Sequence, residues 1–148
     1  MSSIGKLNAT ISRNIQSILN SKLSNMSIQS GQHDFFYVIS KNEGITQKDL
    51  SEKLNIGKST TAKAVKQLMK QGYIYRKKDE EDKRFERLFL TESGKEIAPQ
   101  VSKIFQEVID ITTRGLTGEE IEVVESLLNK ILNNVLEERY KDGDKIMD

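Results

Sequence analysis

The feature that most constrains this chain is a change of period at Gly72. Before it, two short runs carry apolar residues at helical spacing. The first is opened by Thr46-Gln47-Lys48-Asp49, a capping box in which the Thr46 hydroxyl can accept from the backbone while Asp49 reaches back. Leu50 and Leu54 follow, then the turn Asn55-Ile56-Gly57, then a second helix from Lys58 to Gln71 that Gly72 stops. After Gly72, Tyr73–Arg76 and Phe85–Leu90 are rich in strand formers and flank a charged tip from Lys77 to Arg84. Two helices joined by a tight turn, followed at once by a two-stranded ribbon with a basic tip, make a winged helix-turn-helix.

The rest of the chain reads as helix. Ile4, Leu7, Ile11, Ile15, Ile18 and Leu19 form a stripe on one helix reaching to about Leu23. A second helix is expected from near Ser30, burying Phe35, Phe36 and Ile39 and ending in Asn42-Glu43-Gly44. Thr91 can cap a fifth helix, in which Pro99 should introduce a kink unless the helix begins later. Thr117-Gly118-Glu119-Glu120 is a further capping box, opening a long helix that carries Val124, Leu127, Leu128, Ile131, Val135 and Leu136. The fold class expected is mainly α with a small β-hairpin wing.

Charge is segregated. From Thr46 to Thr91 there are twelve Lys and Arg against seven Asp and Glu, a balance of +5 in a chain whose net charge is +1. Lys53 to Lys78 holds eight basic residues and no acid. A solvated helix face would interleave both signs, whereas a segregated basic block suits a phosphate-binding surface. On the helix from Lys58 to Gln71, Ala62, Val65, Leu68 and Met69 fall on one side. Ser59, Thr60, Lys63, Gln67 and Lys70 fall on the other, with Lys66 at an edge. One face can pack while the other presents hydroxyls, amides and ammonium groups to phosphates and base edges. The N-terminus of this helix also offers free N–H groups to a phosphate. An ordinary amphipathic helix with a polar outer face would show the same pattern, and it is the wing that favours nucleic acid.

Other function classes find little support. The chain has no Cys and one His, so disulfides, thiolate metal sites and thiol redox sensing are excluded, and a metal site or catalytic constellation lacks its parts. No enzyme activity, cofactor or metal is expected. His33 reads as a partly exposed helical residue. No signal peptide or membrane-length apolar run is visible, which points to a soluble cytoplasmic protein with no membrane partner.

The wing carries a more specific pattern. Asp82-Lys83-Arg84, followed after five residues by Leu90-Thr91-Glu92-Ser93-Gly94, resembles the MarR family (multiple antibiotic resistance regulators). So does the order Gly72, Ile74, Arg76 after the second helix of the motif, and so does Gln32 at the start of an earlier helix. The resemblance covers nearly the whole chain. It implies a sequence-specific double-stranded DNA-binding regulator, a repressor acting as a homodimer on a palindromic operator. Arg84 would enter the minor groove, oriented by Asp82, and Ser59, Thr60, Lys63 and Lys66 would face the major groove. Lys58, Lys77, Lys78 and Lys83 would contact phosphates. Asp79, Glu80 and Glu81 share the tip and would repel phosphate if they faced it. Residues 1–28 and 92–148 would supply dimerisation helices around a DNA-binding lobe at 29–91. A small aromatic or anionic effector could bind near His33, Phe36 and Tyr37, although plain core is the favoured reading of Phe36. A winged-helix module that binds protein without specific DNA binding is the alternative.

Overall fold

A computed structural model describes residues 3–29 and 31–141. Six helices and one hairpin follow in the order α1 (Ile4–Lys22), α2 (His33–Lys41), α3 (Gln47–Leu54), α4 (Lys58–Lys70), β1 (Ile74–Lys78), β2 (Glu86–Leu90), α5 (Glu92–Thr112) and α6 (Gly118–Arg139). Each boundary has a local cause. Thr46 Oγ1 accepts from Asp49 N at 3.1 Å, and Asn55 closes α3 in the left-handed region at φ 53°. Asn tolerates that conformation better than a bulkier residue. Gly72 stands at φ 82° where α4 gives way to β1, a backbone that a side chain would strain. At α6 the capping box is complete: Thr117 Oγ1 accepts from Glu120 N while Thr117 N donates to Glu120 Oε1 at 2.9 Å.

Several expectations change. The second helix starts at His33 rather than near Ser30, and Ser30 lies outside the described residues. Only the Thr46 half of the first capping box forms. The buried face of α4 is Thr61, Ala64, Val65 and Leu68, with Ala62 and Met69 half-buried at its margin. Thr61 belongs to neither face named from the sequence; its Oγ1 donates to Gly57 O at 2.9 Å, so it enters the core with its donor satisfied. Strand β1 runs two residues further into the charged segment than its composition suggested. Helix α5 continues through Pro99. Pro99 and Lys95, whose carbonyl the proline cannot serve, are both exposed, so water can satisfy that carbonyl.

The core joins α1 (Leu19), the segment after it (Leu23, Ile28), α2 (Phe35, Phe36, Ile39), α3 (Leu50), α4, the hairpin (Ile74, Leu88, Leu90) and α5 (Val101, Val108). His33 corrects the sequence reading: it is 4% exposed, not partly exposed. Its Nε2 lies 3.3 Å from Ile28 O, and since a carbonyl can only accept, Nε2 carries the proton and Nδ1 is left buried without a partner. Burial outweighs that bond and the nearby Asp34, and holds the imidazole pKa below its ordinary value.

Helix α6 has no buried residue. Val123, Val124, Leu127, Leu128, Leu132 and Val135 are all exposed, as are Ile4, Leu7 and Ile11 at the start of α1. Among the described helices none is long and apolar enough to cross a membrane.

Candidate nucleic-acid interface

The hairpin is locked to the helical body along the far edge of β2 and at its root. Its strands pair antiparallel from Ile74↔Leu90 to Lys78↔Glu86. The far edge of β2 is taken by the α2–α3 link: Gly44 N donates to Leu88 O at 2.8 Å, Leu88 N to Ile45 O at 2.9 Å, and Thr46 bridges to Arg87. Leu90 N donates to Glu43 Oε1 at 2.8 Å. At the root, Thr91 caps α5 by accepting from Gly94 N, donates its own hydroxyl to Gly72 O, and donates Thr91 N to Tyr73 O at 3.1 Å. A Cβ on Gly94 would stand 2.1 Å from Tyr73 O, so only glycine lets α5 approach the hairpin this closely. The Leu-Thr-x-x-Gly element is thus the joint between wing and helix.

On this frame the candidate residues fall into two groups. Lys58, Ser59, Thr60, Lys63 and Lys66 are exposed along α4, on a helix without an acidic residue. Lys77 and Lys78 lie on β1, and Asp82, Lys83 and Arg84 at the tip, all exposed except the half-buried Asp82. A groove of about 740 Å³ between α3 and the wing gathers Lys78, Lys83 and Arg84 together with Gln47, Lys48, Arg76 and Arg87. A smaller one brings Lys58 to Gln47 and Lys48. None of the four additional residues is a contact candidate in the sequence, although Arg76 belongs to the Gly72, Ile74, Arg76 order. Gln47 and Lys48 carried a signal, following directly on the Thr46 cap; Arg76 and Arg87 needed the strand register.

Asp82 and Arg84 form a fork. Arg84 Nε donates to Oδ1 at 2.9 Å, Nη2 donates to Oδ2 at 2.7 Å, and the Arg84 backbone N donates to Oδ1 at 3.1 Å. The Arg84 side chain nevertheless remains 84% exposed, so its orientation is set while its outer edge is available. These bonds hold the Asp82 carboxyl below the usual carboxylate range and raise the Arg84 guanidinium further. The guanidinium also lies 5.9 Å from the exposed Phe85 ring.

The tip acids do not form one repulsive cluster. Asp79 points into the hairpin, Glu80 pairs with Lys77 at 3.7 Å, and Glu81 is exposed. Among the described residues no group of three or more His, Asp or Glu could hold a metal. Of the three effector candidates, His33 and Phe36 are buried, and Phe36 makes an edge contact with Tyr73 at 6.0 Å. Tyr37 stacks on Phe105 at 4.3 Å with Lys41 Nζ 5.7 Å from its ring. None of the three lines the groove of about 860 Å³ between α2 and α5, which Lys41, Lys95 and Lys103 border.

Comparison with known proteins agrees with this geometry. A family model described as the MarR family matches residues 24–84. An uncharacterised HTH-type transcriptional regulator, YybA of Bacillus subtilis, is 32% identical over 137 residues, covering 91% of each chain. Among solved structures, a MarR protein from Peptoclostridium difficile is 36% identical with a TM-score of 0.83, over 95% of this chain and 92% of that one. A MarR-family regulator from Listeria monocytogenes, solved in complex with 26mer DNA, is 28% identical with a TM-score of 0.86 over the full length of both chains.

Proposed function

This chain belongs to the MarR family, and from that premise we propose that it is a homodimeric transcriptional repressor that reads a palindromic double-stranded DNA operator. The carrying observation is the outer face of α4: exposed Ser59, Thr60, Lys63 and Lys66 on a helix without an acid. A lone helix of that width enters a major groove about 12 Å wide. Arg84 then reaches the adjacent minor groove, where a narrow groove concentrates negative potential. Lys58, Lys77, Lys78 and Lys83 meet phosphates, which fix position without reading sequence.

The division of labour follows the chain: residues 29–91 read DNA, while 1–28 and 92–148 pair the subunits. Support comes from the apolar faces of α1 and α6, exposed in a single chain, which a second copy would cover. A two-fold dimer sets half-sites about 10 base pairs, roughly 34 Å, apart. Relief by a small aromatic or anionic ligand belongs to the same reading. Tyr37, half-buried beside Lys41, is the effector candidate that retains accessible surface. The chain has no Trp, so quenching of tyrosine fluorescence by aromatic carboxylates, lost in Tyr37→Phe, would test that site.

The deciding experiment selects tight binders from a random duplex pool and follows anisotropy across a salt series. A palindrome with steep salt dependence is expected. Weak binding with no enriched sequence, in folded protein, would overturn the reading and favour a protein-binding winged helix.

A further inference from the structure

Arg87 stands in β2, at neither the recognition helix nor the wing tip, and is part-buried with two kinds of partner. Nε donates to Asp79 Oδ2 at 2.6 Å, and Nη1 donates to Gly44 O at 2.9 Å, in the link between α2 and α3. Asp79 in turn organises the tip. Its Oδ1 accepts from Glu81 N at 2.8 Å and from Asp82 N at 3.4 Å, and its own N donates to Phe85 O at 2.9 Å. The Arg87 bond is the main reason the Asp79 carboxyl is held below the ordinary range. Asp82, whose backbone Asp79 holds, is the residue that grips Arg84. An unbroken path of hydrogen bonds therefore runs from the body at Gly44 through Arg87, Asp79 and Asp82 to the Arg84 guanidinium.

A hairpin whose strands rise only five residues from the body can pivot as a lever, and its tip moves most. The backbone ladder at Gly44–Thr46 holds the base of the wing, and alongside the strand pairing and the exposed Lys77–Glu80 ion pair the Arg87–Asp79 bond ties that base to the tip through part-buried side chains. A planar guanidinium donating from two edges fixes direction in a way that an ammonium cannot.

We propose that Arg87 is a positioning residue: through Asp79 it sets where the wing tip carries Arg84 relative to α4, and so acts on DNA recognition without touching DNA. This rests on the DNA-reading function proposed above. It separates Arg87 from Arg84, Lys78 and Lys83, which share its groove but would contact the duplex.

The test compares Arg87→Gln, Arg87→Lys and Asp79→Asn in the full chain, alone and combined with Arg84→Ala, on the selected duplex and on a random one. Coupled neighbours in one network depart from additivity by amounts that allow about a tenfold loss on the selected duplex. That loss should nearly vanish once Arg84 is Ala, with the random-duplex affinity and the salt slope unchanged. Arg87→Lys should behave like Arg87→Gln, because an ammonium lacks the two divergent guanidinium edges that reach Asp79 and Gly44. A salt slope lowered by about one would identify a direct phosphate contact and overturn the proposal. Additive losses, equal losses on both duplexes, or full rescue by Lys would overturn it too. A second readout needs no DNA: the Arg84 Nε–H should be rigid by ¹⁵N relaxation in the parent and mobile in Arg87→Gln and Asp79→Asn. An unchanged Arg84 there refutes the positioning role, whereas failure to select any duplex refutes the DNA reading alone. Asp79→Asn retains the Oδ1 acceptor for the tip backbone, so it keeps the question answerable if Arg87 variants fold poorly.

Discussion

At Asp82, a carboxylate works as a gripping group for Arg84, the proposed groove contact: its two oxygens bind one edge of the guanidinium through Nε and Nη2, while the side chain stays largely exposed. Arg84→Ala should weaken operator binding by about 1–3 kcal/mol and leave the dimer intact, as for loss of a groove contact. Lys78→Ala should instead weaken all duplexes similarly and flatten the salt dependence by about one unit of slope. Anisotropy titrations on selected and random duplexes distinguish the two, and a change of sequence preference in Lys78→Ala would remove it from the phosphate contacts. Gly94 is of another kind. A methyl there meets backbone, not a pliable side chain, so Gly94→Ala should destabilise the fold by roughly 1–3 kcal/mol or more in urea. Wild-type stability in that variant would mean that α5 and the hairpin can separate freely.

Among the elements, α2 carries the titratable group with the clearest consequence. His33 is neutral in the folded chain, with its pKa lowered by burial, whereas in the unfolded chain it titrates near 6.5. Its contribution is therefore fully present above about pH 6.5 and is lost as pH falls from there through the lowered folded value. The chain has a single His, so between about pH 5.5 and 6.5 no other side chain with an ordinary pKa competes. Urea midpoints should fall through that window in the parent and stay level in His33→Gln; parallel curves would place the slope elsewhere. The elements also show how far local signals reach. Capping residues at Thr46, Thr91 and Thr117 marked three helix starts correctly, because a cap acts over three residues. The start of α2 has no such signal, since Gln32 makes no side-chain cap and the helix begins where His33 and Phe35 are buried.

For the whole molecule, the decisive feature is α6. Leu127 is 52% exposed and Val135 58% exposed on a helix without a buried residue. Leu128→Glu, charging the middle of that face, should convert a dimer to monomers by sedimentation at micromolar concentration and abolish tight binding to the palindrome. Retention of both would mean that α6 is not the pairing surface.

The helix-turn-helix, the hairpin and the outer helices were legible from periodicity, caps and turn residues, because these act within a few positions. So was the basic face of α4, since the wheel follows directly from 3.6 residues per turn. The wing pattern at Asp82, Arg84 and Leu90–Gly94 was equally legible, but the reason for Gly94 was not: its neighbour Tyr73 lies 21 positions away. Tertiary structure alone decided that Thr61 and His33 are inside: their carbonyl partners at Gly57 and Ile28 are local, but the core that closes over them is drawn from segments far apart in the chain. It alone joined Gly44 to Arg87 and Arg87 to Asp79, contacts between segments whose approach depends on the packing of the entire core.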